Sequence, residues 1–346
     1  MSKPDLAEYL RLQGRYCGKL GSPLYEVLLD RAADDLTAGG VVAAVLDGYP
    51  LEPIYSAMAL RLMGNVHRLV LEGRAPALGA RYPSVGGDGD ASRTWPAFRA
   101  VVAENVPLLR EWMSRGVQTN EVGRAAALAP GFLTVARETG LPLRILEMGT
   151  SAGLNLRWDR FRYETAERAW GDAASPVVLR DAWETPVPPF ATAATVAERA
   201  GCDPSPLDPT TDEGRLTLMS YVWPDQRERF ALLSGAIEVA RRVPADVERA
   251  SAVDWLPRRL AAARAGVATV VFHSIAIAYL ERSAREQALG AIADAGARAT
   301  GDAPVAWLRM EPGGEQAEVR LTVWPGGDER LVATTGFHGR GVRWLV

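Results

Sequence analysis

The sequence predicts an α/β protein: a long helical region, then an α/β sheet that closes on a C-terminal antiparallel hairpin. Three observations predict it. Residues 1–140 carry apolar side chains at the three-and-four spacing of helices, punctuated by glycine. From Leu143 onward, short apolar runs alternate with amphipathic stretches, as strands and helices do in turn. Near the end, Val319, Leu321 and Val323 alternate with polar residues and run into Pro325-Gly326-Gly327-Asp328, a strand and its turn.

The helical region divides at its glycines. Leu6, Leu10 and Leu12 share one segment that stops near Gly18; Leu24, Val27, Leu28 and Ala32 form the next, ending at Gly39-Gly40. Ile54, Met58, Leu62, Val66 and Leu69 give one stripe of a longer helix that stops at Gly73, and Phe98, Val101, Val102, Val106 and Leu109 give another. Residues 82–94, rich in Gly, Ser and Asp, read as an exposed loop. Thr119 or Asn120 caps a helix running to Thr139, with Glu121 in the first turn and Gly140 as the stop. A domain boundary is expected after Gly140, with 1–140 a helical cap and 141–346 the α/β domain.

In the second part, Leu143–Gly149 is a buried strand. Further strands are expected at 194–200, 216–222, 247–253, 267–274 and 305–310, and helices at 227–242 and 284–295. Glu318–Trp324 and Arg330–Thr335 are the two arms of the hairpin.

Composition narrows the function classes. With 48% hydrophobic and 23% charged residues, a large core can be buried. A net charge of -3 points away from a general nucleic-acid binder. Cys17 and Cys202 stand alone, without metal-ligand spacing, so no metal site is expected and a reduced, cytoplasmic setting fits better than a Cys17–Cys202 bridge. The N-terminus reads as neither a secretory nor a lipidation signal. No apolar stretch reaches the ~20 residues of a membrane span, so no membrane partner is expected.

The most informative segment is Ile145-Leu146-Glu147-Met148-Gly149-Thr150-Ser151-Ala152-Gly153-Leu154-Asn155. A strand enters a glycine turn and a helix leaves it, so the backbone can approach a ligand and a helix N-terminus can offer N–H groups. Glu147 at the strand end suits a cationic or hydroxyl-bearing ligand. At the ends of later strands stand Asp254 with Trp255, and His273-Ser274, where α/β sheets collect chemistry. His273 is a candidate general base, or else a hydrogen-bonded structural residue. Tyr221, Trp223 and Asp225 end the expected strand 216–222; Tyr221 and Asp225 are candidate catalytic groups and Trp223 a substrate contact, although Pro224 opening a helix accounts for part of that segment. Asn120, Glu121 and Arg124 either cap their helix or reach toward the substrate.

The glycine turn resembles motif I of class I S-adenosylmethionine-dependent methyltransferases, Glu/Asp-x-Gly-x-Gly-x-Gly, with Ser151 in place of the middle glycine. The resemblance implies that Gly149, Ser151, Gly153 and Asn155 line the S-adenosylmethionine site and that Glu147 faces the methionine amino group. It also implies an acidic residue after the second strand for the ribose hydroxyls, Glu198 or Asp203, with Glu198 preferred. Asp254 would meet the adenine amino group, unless it only caps a helix. A terminal hairpin is how this class of sheet ends; a dinucleotide-binding domain continues with parallel strands. More widely, GRYCGKLGSPLY, YPSVGG, QTNEVGRAAAL, LTLMSYVWPDQ, VVFHSI and WLRMEP resemble an uncharacterised bacterial family placed in the methyltransferase-like Rossmann group.

The expected function is therefore methyl transfer from S-adenosylmethionine to a small molecule. Two alternatives stand beside it: other chemistry on a bound nucleoside-type ligand, and a non-catalytic protein that holds a partner on its helical surface.

Overall fold

A computed structural model describes residues 3–49, 57–185 and 188–346. The chain divides into two compact units: residues 1–119 with 212–230, and residues 120–211 with 231–346. This division differs from the boundary expected after Gly140. The helix Ala125–Thr139 lies in the second unit, where twelve of its residues, Ala125 to Ala136, are buried.

The first unit is helical. Lys3–Lys19, Pro23–Thr37, Val41–Leu46, Met58–Leu71, Ala91–Glu104 and Val106–Trp112 are its main helices, joined by the later helix Asp212–Ser220. Two apolar stripes bury as their spacing dictates, Leu24, Leu28 and Ala32 on one helix and Met58, Leu62, Val66 and Leu69 on another; on the helix Lys3–Lys19, Leu6 and Leu10 are buried but Leu12 is exposed. Ile54, expected on that helix, lies outside the described residues. The stripe from Phe98 to Leu109 is two helices, because Pro107 follows a break at Asn105. The loop expected at 82–94 ends early, since Asp90 caps the helix at Ala91 by accepting from the Ser92 N–H.

Residues 216–222 are not a strand. Asp212–Ser220 is a helix with Asp212 and Glu213 in its first turn, where the helix dipole favours carboxylates. The alternation of Leu216 and Leu218 with polar residues imitates a strand.

The second unit is built on a nine-stranded sheet. Its strands are β1 (Leu143–Met148), β5 (Trp183–Thr185), β6 (Val196–Asp203), β7 (Asp246–Arg249), β8 (Ala268–Ser274), β9 (Val305–Pro312), β10 (Ala317–Trp324), β11 (Glu329–Thr335) and β12 (Val342–Trp344). A separate three-stranded sheet is formed by β2 (Arg162–Glu164), β3 (Ala169–Trp170) and β4 (Val178–Arg180). The main order is β5-β12-β11-β10-β9-β8-β1-β6-β7. Five strands, β7-β6-β1-β8-β9, are parallel. Numbered by sequence, these five run 3-2-1-4-5, so the order reverses between β1 and β8. The expected hairpin is present as β10 and β11, antiparallel to each other.

All six residues of β1 are buried, as a central parallel strand requires. Helix Ala125–Thr139 packs on β8 to β11; its Gly131 lies so close to Leu308 that a Cβ there would stand 2.5 Å from that side chain. Trp255, Leu256, Ile292 and Ala295, from helices Ala252–Leu260 and Arg282–Ala297, form a core with Leu146 and Val271.

Two strand expectations need correction. β6 runs to Asp203 rather than ending near Ala200, and β7 stops at Arg249. Residues 251–254 instead start a helix: Ser251 Oγ accepts from the Asp254 N–H at 3.2 Å and donates to the Asp254 carboxylate at 2.6 Å. Among the described residues, no helix is long and apolar enough to cross a membrane.

Candidate functional site

In a parallel α/β sheet, ligands collect at the carboxyl ends of the strands where the order reverses. Here that point lies beyond Met148 of β1 and Ser274 of β8. Gly149 sits between the two ends: it is exposed, has φ +68°, and a Cβ on it would stand 2.9 Å from the Ala276 Cβ. Ser151 and Gly153 also take positive φ, +53° and +67°. Ser151 thus adopts the left-handed conformation that glycine adopts without strain.

The segment leaving the turn is not a regular helix. Leu154–Arg160 is a 3-10 segment kinked at Arg157, so the expected helix N-terminus with its row of free N–H groups is missing. Five N–H donors of the turn are spent inside the protein. Gly149 and Thr150 donate to the Cys202 carbonyl at 2.9 and 3.1 Å, and Gly153 to the Thr150 carbonyl at 2.8 Å. Ser151 donates to the Asp203 carboxylate at 2.9 Å, and Leu154 to the Asn120 carboxamide at 2.8 Å.

Acidic groups flank this turn. Glu147, near the end of β1, is 2% exposed and accepts the Thr150 hydroxyl proton. Burial pushes its carboxyl up to about 8, and the Thr150 hydrogen bond and the Arg157 charge offset only part of that rise. Asp203 ends β6 beside it, its second oxygen accepting from the Ser205 N–H at 2.8 Å. Glu198 is at the other end: it pairs in register with Arg144, at the start of β1, and is bound by Arg144, Arg259 and Arg264. The acidic residue at the carboxyl edge of the second strand is therefore Asp203, not the preferred Glu198. Asp254 is occupied as the capping partner of Ser251.

The segment 120–124 comes to this edge from far away in sequence. Asn120 accepts from Leu154, and the Asn155 amide donates to the Glu121 carbonyl at 3.1 Å. Glu121 also accepts from the Gly123 N–H at 3.2 Å. Arg124 donates to the carbonyls of Ser274 and Phe337 at 3.0 and 3.1 Å. Asn120, Glu121, Arg124, Glu147, Gly149, Ser151, Gly153 and Asn155 thus stand together, although several of their polar groups support the turn.

His273 is fully buried. The indole N–H of Trp307 can only donate, so it makes His273 Nε2 an acceptor at 3.1 Å. The ring proton then sits on Nδ1 and is donated to Glu311 Oε1 at 2.6 Å. With both nitrogens engaged, His273 positions its neighbours and has no lone pair for base work. Glu311 lies in the stretch WLRMEP but is not among the candidates read from the sequence. It also accepts from the N–H groups of Ala276 and Ile277 at 2.9 and 3.3 Å, fixing the loop after β8. Burial alone would raise its carboxyl; hydrogen bonding from His273 and from the two loop N–H groups more than offsets that and holds it below the usual range.

Two buried acceptors at this edge, Asn155 Oδ1 and Glu311 Oε2, have no hydrogen-bond partner among the described residues. Unpartnered buried acceptors are costly and call for a donor.

Tyr221, Trp223 and Asp225 lie in the first unit. Asp225 uses both oxygens at the start of helix Pro23–Thr37, one on the Ser22 hydroxyl at 2.6 Å and one on the Leu24 N–H at 3.1 Å. Tyr221 packs on Gly64, where a Cβ would stand 2.6 Å from its ring. Trp223 is 6% exposed and belongs to the helical core. Their local roles are packing and capping. Cys17 and Cys202 are both free and buried, and no group of three metal-ligating side chains occurs among the described residues.

Residues 7–344 match the profile of the family DUF2332, described as an uncharacterized protein conserved in bacteria. No curated protein and no solved structure matches the chain.

Proposed function

We propose, from the premise that the chain belongs to the bacterial family DUF2332, that the carboxyl edge of its parallel strands binds S-adenosylmethionine and supports methyl transfer to a small molecule. The main support is the polarity of that edge. Five of the turn's N–H groups, those of Gly149, Thr150, Ser151, Gly153 and Leu154, are engaged internally and it opens no regular helix, so it is a poor cradle for a pyrophosphate. The guanidinium groups of Arg124 and Arg157 there donate to backbone carbonyls, and beside them stand the acceptors Glu147, Asp203, Asn155 Oδ1 and Glu311 Oε2. Acceptors suit a ligand that brings a positive charge, an ammonium group and ribose hydroxyls. A nicotinamide dinucleotide brings a pyrophosphate and fits less well.

Glu147 would hold the ammonium group by releasing to solvent the proton that its burial retains in the free chain, and Asp203 the ribose diol by giving up one of its loop hydrogen bonds. Gly149, exposed and without a side chain, would let a ligand approach the backbone at the end of β1. The bound cofactor would supply an electrophilic methyl group. The protein's own contribution is alignment of the acceptor, which a methyl transfer needs more than a base. The saturated hydrogen bonding of His273 is compatible with that economy.

Isothermal titration of the whole chain with S-adenosylmethionine, S-adenosylhomocysteine and oxidised nicotinamide dinucleotide tests the proposal. The first two are expected to bind, the third not, and Asp203→Asn to weaken binding about tenfold. Binding of the dinucleotide alone, or of none at millimolar ligand, would remove it.

A further inference from the structure

The opposite edge of the same sheet carries a second charged constellation that methyl transfer does not use. Arg144, Glu198 and Asp246 stand at the starts of β1, β6 and β7, and Arg258, Arg259 and Arg264 come from the end of helix Ala252–Leu260 and the chain after it. These six line a depression of about 540 Å³, the size of a small-molecule site.

The arginines outnumber the carboxylates they serve. Glu198 alone receives three guanidinium groups: Arg144 at 3.1 Å, Arg259 at 2.6 Å, and Arg264. Glu248 supports Arg258 and Arg259 from the side. With Glu248 counted, four guanidinium groups meet three carboxylates. Each guanidinium has five N–H donors, and Arg258 and Arg264, with 57% and 55% exposed side chains, each make one ion pair among the described residues, to Glu248 and Glu198. Arg259 Nε is buried without a partner. Arg144 is almost wholly buried; burial, then the charges of Arg264 and Arg259, act against its protonation, with Glu198 opposing them. The excess of guanidinium groups leaves the depression with positive charge that its own carboxylates do not neutralise.

We infer that this depression is a binding site for a small multivalent anion of the phosphate class, held by the exposed guanidinium groups of Arg258 and Arg264. Planar guanidinium forks take phosphate oxygens two at a time, so a phosphate fits the unspent donors better than chloride does. The site is independent of the proposed methyl-transfer edge and stands or falls separately.

Thermal unfolding of the whole chain in inorganic pyrophosphate against chloride of equal ionic strength tests it. Concentrations should stay at or below about 5 mM, where general salting-out stabilisation is small. A saturable rise in Tm is expected, absent from the chain carrying both R258A and R264A. Glu198→Gln should bind pyrophosphate more tightly than the wild type, because it releases guanidinium groups; a purely structural network would instead lose stability and gain no affinity. A rise no larger than in chloride, an equal rise in the double variant, or binding of oligonucleotides without pyrophosphate would overturn the inference.

Discussion

At the scale of single residues, the carboxyl edge is defined by acids whose surroundings differ. Glu147 is enclosed and resists ionisation; Asp203 is anchored by backbone N–H groups. Because the folded chain holds a proton on Glu147 up to about pH 8, and the unfolded chain sheds it near 4.5, this residue's contribution to stability is full below about 4.5 and is lost as pH rises toward 8. Glu147→Gln stays neutral throughout. It is therefore expected to match the wild type near pH 5 and to unfold at a higher denaturant concentration at pH 8 and above. Equal midpoints across that range would show that the burial does not act on the carboxyl as described. The sequence makes Glu147, Gly149 and Gly153 legible, since a strand running into a glycine turn is a local pattern. It does not make Asp203 legible over Glu198, because that choice depends on where β6 stops relative to β1, and strand ends are set by neighbours. The role of Glu311 has no local signature; its partners His273 and Ala276 lie on another strand and loop.

At the scale of elements, buried strands are plain in the sequence and short helices are not. β1 and β8 are largely apolar runs buried along nearly their whole length, as a central sheet position requires, so their sequences identify them. Residues 216–222 and 250–253 are expected in strands, but local polar chemistry outweighs the pattern there, and β7 stops at Arg249. Asp212 and Glu213 start one helix; Ser251 and Asp254 cap another. Ser251→Ala is expected to cost about 1 kcal/mol in denaturant unfolding, the usual value of an N-cap, and to leave ligand affinity unchanged. A change in S-adenosylmethionine affinity in Asp254→Ala would return that residue to the adenine site. The loop after β8 depends on one side chain. Glu311→Ala leaves two N–H groups and the His273 ring without their acceptor, and is expected to cost about 3 kcal/mol, with Glu311→Gln costing less. A loss under about 1 kcal/mol for Glu311→Ala would mean that the loop is held by other contacts.

At the scale of the whole molecule, the chain contains a helical unit and an α/β unit whose parallel strands reverse order between β1 and β8. The α/β class and the terminal hairpin are legible because periodicity and turn chemistry are local. The exchange of segments is not: residues 120–140 join the sheet and 212–230 join the helices, and only long-range packing decides such membership. Nor does periodicity report the small sheet of β2, β3 and β4, whose strands are too short to show an alternation. The sheet has two chemically distinct edges. Acceptors gather around Gly149 at one, and guanidinium groups around Glu198 at the other. The central proposal assigns the cofactor to the first. Amide hydrogen exchange of the whole chain, with and without saturating S-adenosylmethionine, tests that assignment most directly. Slower exchange confined to peptides covering 120–124, 147–156 and 274–277 is the expected result. Unchanged exchange in those peptides, or protection only elsewhere in the chain, would contradict it.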